Sequence, residues 1–175
     1  MRRIAPLLAA AAFVLGAASP AAADPPTKET VTLHNVVSDP TACGDYGVEW
    51  DINLTADIWT FFDDDGRRVK RIAHVREENT VSNTVTGLTL RDGPVNFVET
   101  TTYDPETGAR ELIFIVGTSA RVERGDQKIV DRGPILIDGQ TGEILWSAGP
   151  HPLRELMDGS FDISLVLPGF CDILN

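Results

Sequence analysis

The sequence predicts an all-β fold: an antiparallel meander of about eight strands, closed into a barrel, with a short C-terminal helix or tail. Three observations predict it. Segments in which apolar and polar residues alternate recur along the chain, the period of a strand with one dry face and one wet face. Gly, Pro, Asp and Asn clusters separate them at hairpin distances. Almost no stretch carries the 3.6-residue period of a helix. Eight strands suit a barrel whose interior is filled by side chains or holds one small ligand. A two-sheet sandwich uses the same alternation and is the alternative.

The chain starts with Arg2 and Arg3, an apolar run from Ile4 to Ala18, and small residues at Ala21 and Ala23, the pattern of a secretory signal peptide. Residues 1–23 are assigned to it, with cleavage between Ala23 and Asp24. Pro6, Ser19 and Pro20 shorten the run below a membrane span, and no later segment is apolar enough to span. The product is therefore expected to be secreted, in the extracellular or cell-wall space. Removal of residues 1–23 takes two of the 15 basic residues and none of the 26 acidic ones, moving the formal charge from −11 to −13. Such an anionic domain repels nucleic acid, which is excluded as a partner.

Residues 24–29 read as a flexible Pro-containing leader, and residues 30–175 as a single β domain. Thr30 to Val37 form the first strand. Ser38 to Gly47, with Pro40, Gly44 and two Asp residues, form a loop that carries Cys43. Val48 to Phe62 is the strongest strand: Val48, Trp50, Ile52 and Leu54 alternate with polar residues, and from Ile58 both faces become apolar. The second half therefore calls for cover on both sides, with the C-terminal tail as the candidate for the outside. Asp65-Gly66 ends the strand as a hairpin turn. Asp63, Asp64 and Asp65 lack the further ligands of a calcium loop.

The return strand runs from Arg68 to Glu77. The basic cluster Arg67 to Arg71 reads as a charged strand edge. Glu78-Asn79 and Asp92-Gly93-Pro94 read as turns that bracket a segment interrupted at Gly87, and VNFVETTTY follows as a strand. Two similar turns, Asp104 to Gly108 and Asp138 to Gly142, share Asp first, Thr fourth and Gly fifth. Asp accepts turn N–H groups and Gly takes the left-handed conformation, so both read as hairpin loops. Between them LIFIV is apolar on both faces, as expected of a strand that is central in the sheet or lines an enclosed interior. Glu143 to Ser147 completes the hairpin, LRELMDG forms one or two helical turns, and the tail packs over one end of the sheet.

Cys43 and Cys171 lie near opposite ends of the domain. In an exported protein they are expected to pair; two free buried thiols are the other reading. The order of Cys43-Gly44, Asp65-Gly66, Ser82-Asn-Thr-Val-Thr-Gly87, Gly133-Pro134 and the terminal Phe170-Cys171-x-x-Leu174 resembles small secreted actinobacterial proteins of uncharacterised function. That resemblance implies secretion, a β-rich fold and the Cys43–Cys171 pairing, and brings no activity. A fainter similarity to calycin-like and allene-oxide-cyclase-like barrels concerns the fold alone.

Gly-x-Ser-x-Gly, His-Glu-x-x-His and the phosphate-binding Gly-Lys-Ser/Thr loop do not occur, so no cofactor and no metal are expected. His34, His74 and His151 are far apart and read as strand or loop residues. Glu99 shares parity with Val95 and Phe97, and Asn83 with Val81 and Val85. With Trp50, Phe97 and Phe114 as aromatic walls, these five residues form the candidate ligand site in a barrel interior. The leading expectation is a non-enzymatic protein that binds a small apolar ligand or a secreted or cell-surface protein. The alternatives are an isomerase or cyclase with Glu99 as its acid or base, and a recognition or inhibitor module acting through its loops, which predicts an exposed apolar or aromatic patch and a filled interior.

Overall fold

The computed structural model describes residues 25–157 and 162–175. Residues 1–24, on which the expected signal peptide and its cleavage site fall, and residues 158–161 lie outside that description. Eight strands form one antiparallel sheet: β1 (Thr27–Asp39), β2 (Val48–Phe62), β3 (Arg68–Asn83), β4 (Thr89–Tyr103), β5 (Arg110–Arg124), β6 (Gln127–Arg132), β7 (Ile135–Asp138) and β8 (Ile144–Ser147). Their order is β1-β2-β3-β4-β5-β7-β8, with β6 also paired to β5. The meander is as expected, and all eight strands belong to a single sheet rather than to two. β1 pairs with β2 and β8 with β7, and no ladder joins those ends to close the sheet. Strand β1 starts at Thr27, three residues before the expected Thr30.

The free edge of β5 is shared. Its first half, Leu112 to Ile115, pairs with β7, and its second half, Thr118 to Arg124, pairs with β6. At the junction Gly133 has φ 117°, and a Cβ there would lie 2.1 Å from the Ala148 carbonyl oxygen. Only glycine fits this break between two short strands.

Two expected turns are strand interior. Strand β3 runs through Glu78-Asn79 with a register shift between Glu77 and Asn79, a bulge rather than a turn. Strand β4 runs through Asp92-Gly93-Pro94, with Asp92 opposite Asn79 on one side and Val122 on the other. The reason is the same at both places. Asn79 and Asp92 are buried and bond to neighbouring strands, whereas a surface turn would leave them in water. The β3–β4 hairpin instead closes over residues 84–88. Asn83 Oδ1 accepts the N–H groups of Val85 and Thr86, both at 2.9 Å, and Gly87 takes φ 73°. The two Asp-first loops behave as read: Asp104 accepts from Glu106 and Thr107, Asp138 from Gln140 and Thr141.

After β8 the chain makes 3-10 turns at Arg154–Met157 and Ile163–Phe170, then the one short helix, α1 (Cys171–Leu174). This cap covers the sheet face that carries Val48, Trp50, Ile52, Val81, Ala120 and Val122. Phe170 meets the Trp50 ring edge-on with centroids 5.4 Å apart, the geometry aromatic quadrupoles favour. Cys43 and Cys171 are bonded, closing a separation of 128 residues and pinning the cap to the loop after β1. The tail thus covers one end of the sheet, but not the outside of the second half of β2.

In that second half the side chains of neighbouring strands pack against one another on one face. Ala56, Ile58, Ala73 and Val75 form one buried cluster and Ile113, Ile115, Ile135 and Ile137 another, and Phe97 packs against both.

Candidate functional site

Under the cap lies a cavity of about 220 Å3 lined by Trp50, Ser119, Ala120, Asp131, Leu153, Arg154, Ile163 and Val166. Period-two alternation brings Trp50 to this face from β2 and Ala120 from β5, while Leu153, Ile163 and Val166 come from the cap. Most of the wall is apolar. Its polar groups belong to two buried networks.

The first network centres on Asp131 at the end of β6, which is fully buried. Ser119 Oγ donates to its Oδ1 at 2.6 Å, and His151 Nδ1 lies 3.1 Å from the same oxygen. The N–H groups of Leu153 and Arg154 donate to Oδ2 at 3.1 and 3.0 Å. Asp131 therefore fastens the start of the cap to the sheet, and its carboxylate places the His151 proton on Nδ1. Two donor or acceptor atoms remain: His151 Nε2 and Arg154 Nε are buried without a hydrogen-bond partner among the described residues. Ser, Asp and His meet here, but not as a nucleophile and base. The Ser119 hydroxyl bonds to Asp131 rather than to His151, so no imidazole nitrogen is placed to take its proton.

The second network centres on Asp92, also fully buried. Its Oδ1 accepts the Arg121 N–H at 2.6 Å, and its Oδ2 accepts Trp50 Nε1 at 3.1 Å and Asn79 Nδ2 at 3.3 Å. Asn79 Nδ2 also donates to Glu77 at 2.8 Å, and Asn79 Oδ1 accepts the Asn53 N–H across the bulge. Burial pushes the Asp92 carboxyl above the ordinary range, partly offset by its three hydrogen bonds. Burial likewise raises Glu77, with the Asn79 bond acting against it. The indole of Trp50 is thus held at its nitrogen by Asp92 and at its ring by Phe170.

Of the five residues singled out in the sequence, the structure brings one to this cavity, Trp50. Asn83 is buried on the same sheet face, opposite Val48 in the β2–β3 ladder, but does not line the cavity: its amide donates to the Leu174 carbonyl and its oxygen caps the β3–β4 hairpin. Phe97 sits in the other half, packed against its two buried clusters. Glu99 is half-buried, accepts the Thr101 hydroxyl at 3.1 Å, and does not line the Trp50 cavity. Phe114 points to the opposite face of the sheet and is 38% exposed, so it is no interior wall. Its neighbour Ile113 is the inward residue of β5, because LIFIV is covered on one face only.

Asp92, Asp131 and Arg154 escaped the sequence reading. Asp92 shares parity with Leu88 and Leu90, which was the available signal, but Gly93-Pro94 beside it reads as a turn. Asp131 precedes Arg132-Gly133-Pro134 and looks like a strand-end residue in water. No protein family, curated protein or solved structure matches this chain.

Proposed function

We propose that this is a secreted, non-enzymatic binding protein that holds a small, largely apolar molecule with one hydrogen-bond acceptor beneath its C-terminal cap. The observation that carries this reading is the Trp50 cavity: an apolar wall of Ala120, Leu153, Ile163 and Val166 beside an Arg154 Nε that has no hydrogen-bond partner among the described residues. A buried donor without a partner costs about 1–3 kcal/mol, and a ligand carbonyl or ether oxygen relieves that cost. The carboxylates are already saturated by donors, so they add polarity without competing for the ligand. A volume near 220 Å3 suits a molecule of one or two rings. The disulfide supports an oxidising, extracellular location.

Native mass spectrometry of protein taken from its own culture medium, with titration of apolar fluorescent probes, tests the reading. A retained small mass or saturable probe binding is expected. Arg154→Leu should weaken a ketone-bearing probe while sparing a pure hydrocarbon one. Neither a bound mass nor saturable binding would overturn it.

A second reading, a secreted or cell-surface protein partner, is favoured by the outer sheet face, where Phe114, Val116 and Trp146 are exposed. Phe114→Ser with Trp146→Ser should then reduce retention on the producing cell without changing probe binding.

A further inference from the structure

Among the described residues three strands, β1, β6 and β8, have no neighbouring strand on one side, and they are not alike. Strands β6 and β8 are six and four residues long, and short edges offer little to pair with. Strand β1 spans 13 residues, and Thr27 to Val36 are exposed on both faces. Its ladder to β2 runs from Thr27↔Thr60 to Asp39↔Val48 without a register shift, whereas the β2–β3, β3–β4, β4–β5, β5–β6 and β7–β8 ladders all contain one. It has no Pro and no bulge, the devices that ordinarily blunt an edge. Its only full charges before Asp39 are Lys28 and Glu29, at one end. Three apolar residues stand uncovered on it: Val31 at 39%, Leu33 at 49% and Val36 at 47% exposure. Thr30 and His34 bond to Asp57 and Asp51 of β2, which hold the strand in place.

We infer that β1 is a self-association edge, and that its occupant is β1 of a second copy of this chain, running antiparallel about a two-fold axis at Thr32. Parity and charge select this partner and this register. A two-fold perpendicular to the sheet continues each face into the same face of the second copy, so opposed residues must have the same parity. Three centres meet that condition near the middle of the exposed stretch. A centre at Val31 opposes Glu29 to Leu33. A centre at Leu33 opposes Val31 to Asn35 and Glu29 to Val37. The centre at Thr32 opposes Val31 to Leu33 twice, Glu29 to Asn35, Thr30 to His34 and Thr32 to itself, with no like-charge pair. Cross-strand apolar and Thr–Thr pairs of this kind stabilise a sheet. On the inner face the pairing joins Ala56 and Val31 of one copy to Leu33 and Leu54 of the other in one apolar strip. The nine residues from Lys28 to Val36 make a ladder about 30 Å long and about 10 Å thick. A ladder of that size covers about 300 Å2 of each chain, below the standard interface range, so the association is weak and reversible.

Sedimentation velocity of the secreted protein over a concentration series tests this, together with single-cysteine variants. The expected result is a shift from one chain to two with rising concentration. Val31→Lys with Leu33→Lys should weaken the dimer at least about tenfold while leaving the thermal midpoint of the monomer unchanged, because both side chains are already in water. On mild oxidation Thr32→Cys should cross-link to itself, since a two-fold at that residue brings the two Cα atoms to about 4.5–5.5 Å, within disulfide reach. Neither Thr30→Cys nor His34→Cys alone should do so. A single chain mass at every concentration overturns the inference, as does cross-linking that is equal at positions 30, 32 and 34.

Discussion

The two halves of β2 solve the same problem differently. From Val48 to Leu54 the inward residues are large, Trp50 and Ile52, and a separate layer, the C-terminal cap, covers them. From Ala56 to Phe62 the inward residues are Ala56 and Ile58, and they pack with Ala73 and Val75 of β3 and with Phe97 of β4. The outward residues differ too. Glu49, Asp51 and Asn53 in the first half are ordinary wet-face groups, while Trp59 and Phe61 in the second half are apolar. Two apolar faces call for two covering layers, yet among the described residues none lies outside. Lys28 stands 5.0 Å from the Trp59 ring centroid, Lys70 lies 4.4 Å from that of Phe61, and the His74 ring meets Trp59 at 4.9 Å. Long cationic side chains and a neighbouring ring shelter the aromatics on a single sheet surface. An apolar face read from sequence is thus a demand for cover, and side chains of the same sheet can meet it.

Substitutions that separate the halves follow, in order of size. Phe170→Ala removes the fully buried ring against Trp50 and should destabilise the fold by about 3–5 kcal/mol, read as a lower urea midpoint. The equivalent change at exposed Phe114 should cost under about 1 kcal/mol. Equal losses at the two sites would show that the cap is no separate layer. Opening the disulfide with Cys43→Ser and Cys171→Ser should cost about 2–5 kcal/mol, since it frees a loop of more than a hundred residues. It should also expose Trp50, seen as a red shift in its fluorescence.

The titration behaviour of the capped half offers a third comparison. Glu77 and Asp92 bind their protons more tightly folded than unfolded, because burial raises both carboxyls. Their stabilising contribution is full below the ordinary carboxyl range and is lost as pH rises through the raised folded values. Glu77→Gln keeps an oxygen for Asn79 and removes the charge. It should match the wild type within about 1 kcal/mol at acid pH and exceed it at alkaline pH, measured by urea unfolding across that range. A variant that is less stable at alkaline pH would contradict the sign. The smallest effect belongs to the other half: Lys28→Ala or Lys70→Ala should each cost about 0.5–1 kcal/mol, and high salt should reproduce part of the loss.

Local chemistry alone determined much of this protein. Alternation set the strands, Asp-first and Asp-Gly loops set several of the hairpins, and the cysteine positions set the disulfide, since each depends on residues close in sequence or on a simple pairing. Trp50 was legible as an inward residue for the same reason. The tertiary structure decided the rest. Gly93-Pro94 stays within β4 and Asn79 within a bulge because buried partners on other strands compensate for what local propensity disfavours. Asp131, His151 and Arg154 became a clasp beside a cavity only when β6 and the cap met, across a separation no pattern in the chain encodes. Likewise the face of β5 that stays wet was decided by its neighbours: Ile113 and Ile115 pack with Ile135 and Ile137 on one face, and a strand with two apolar faces does not say which one that will be.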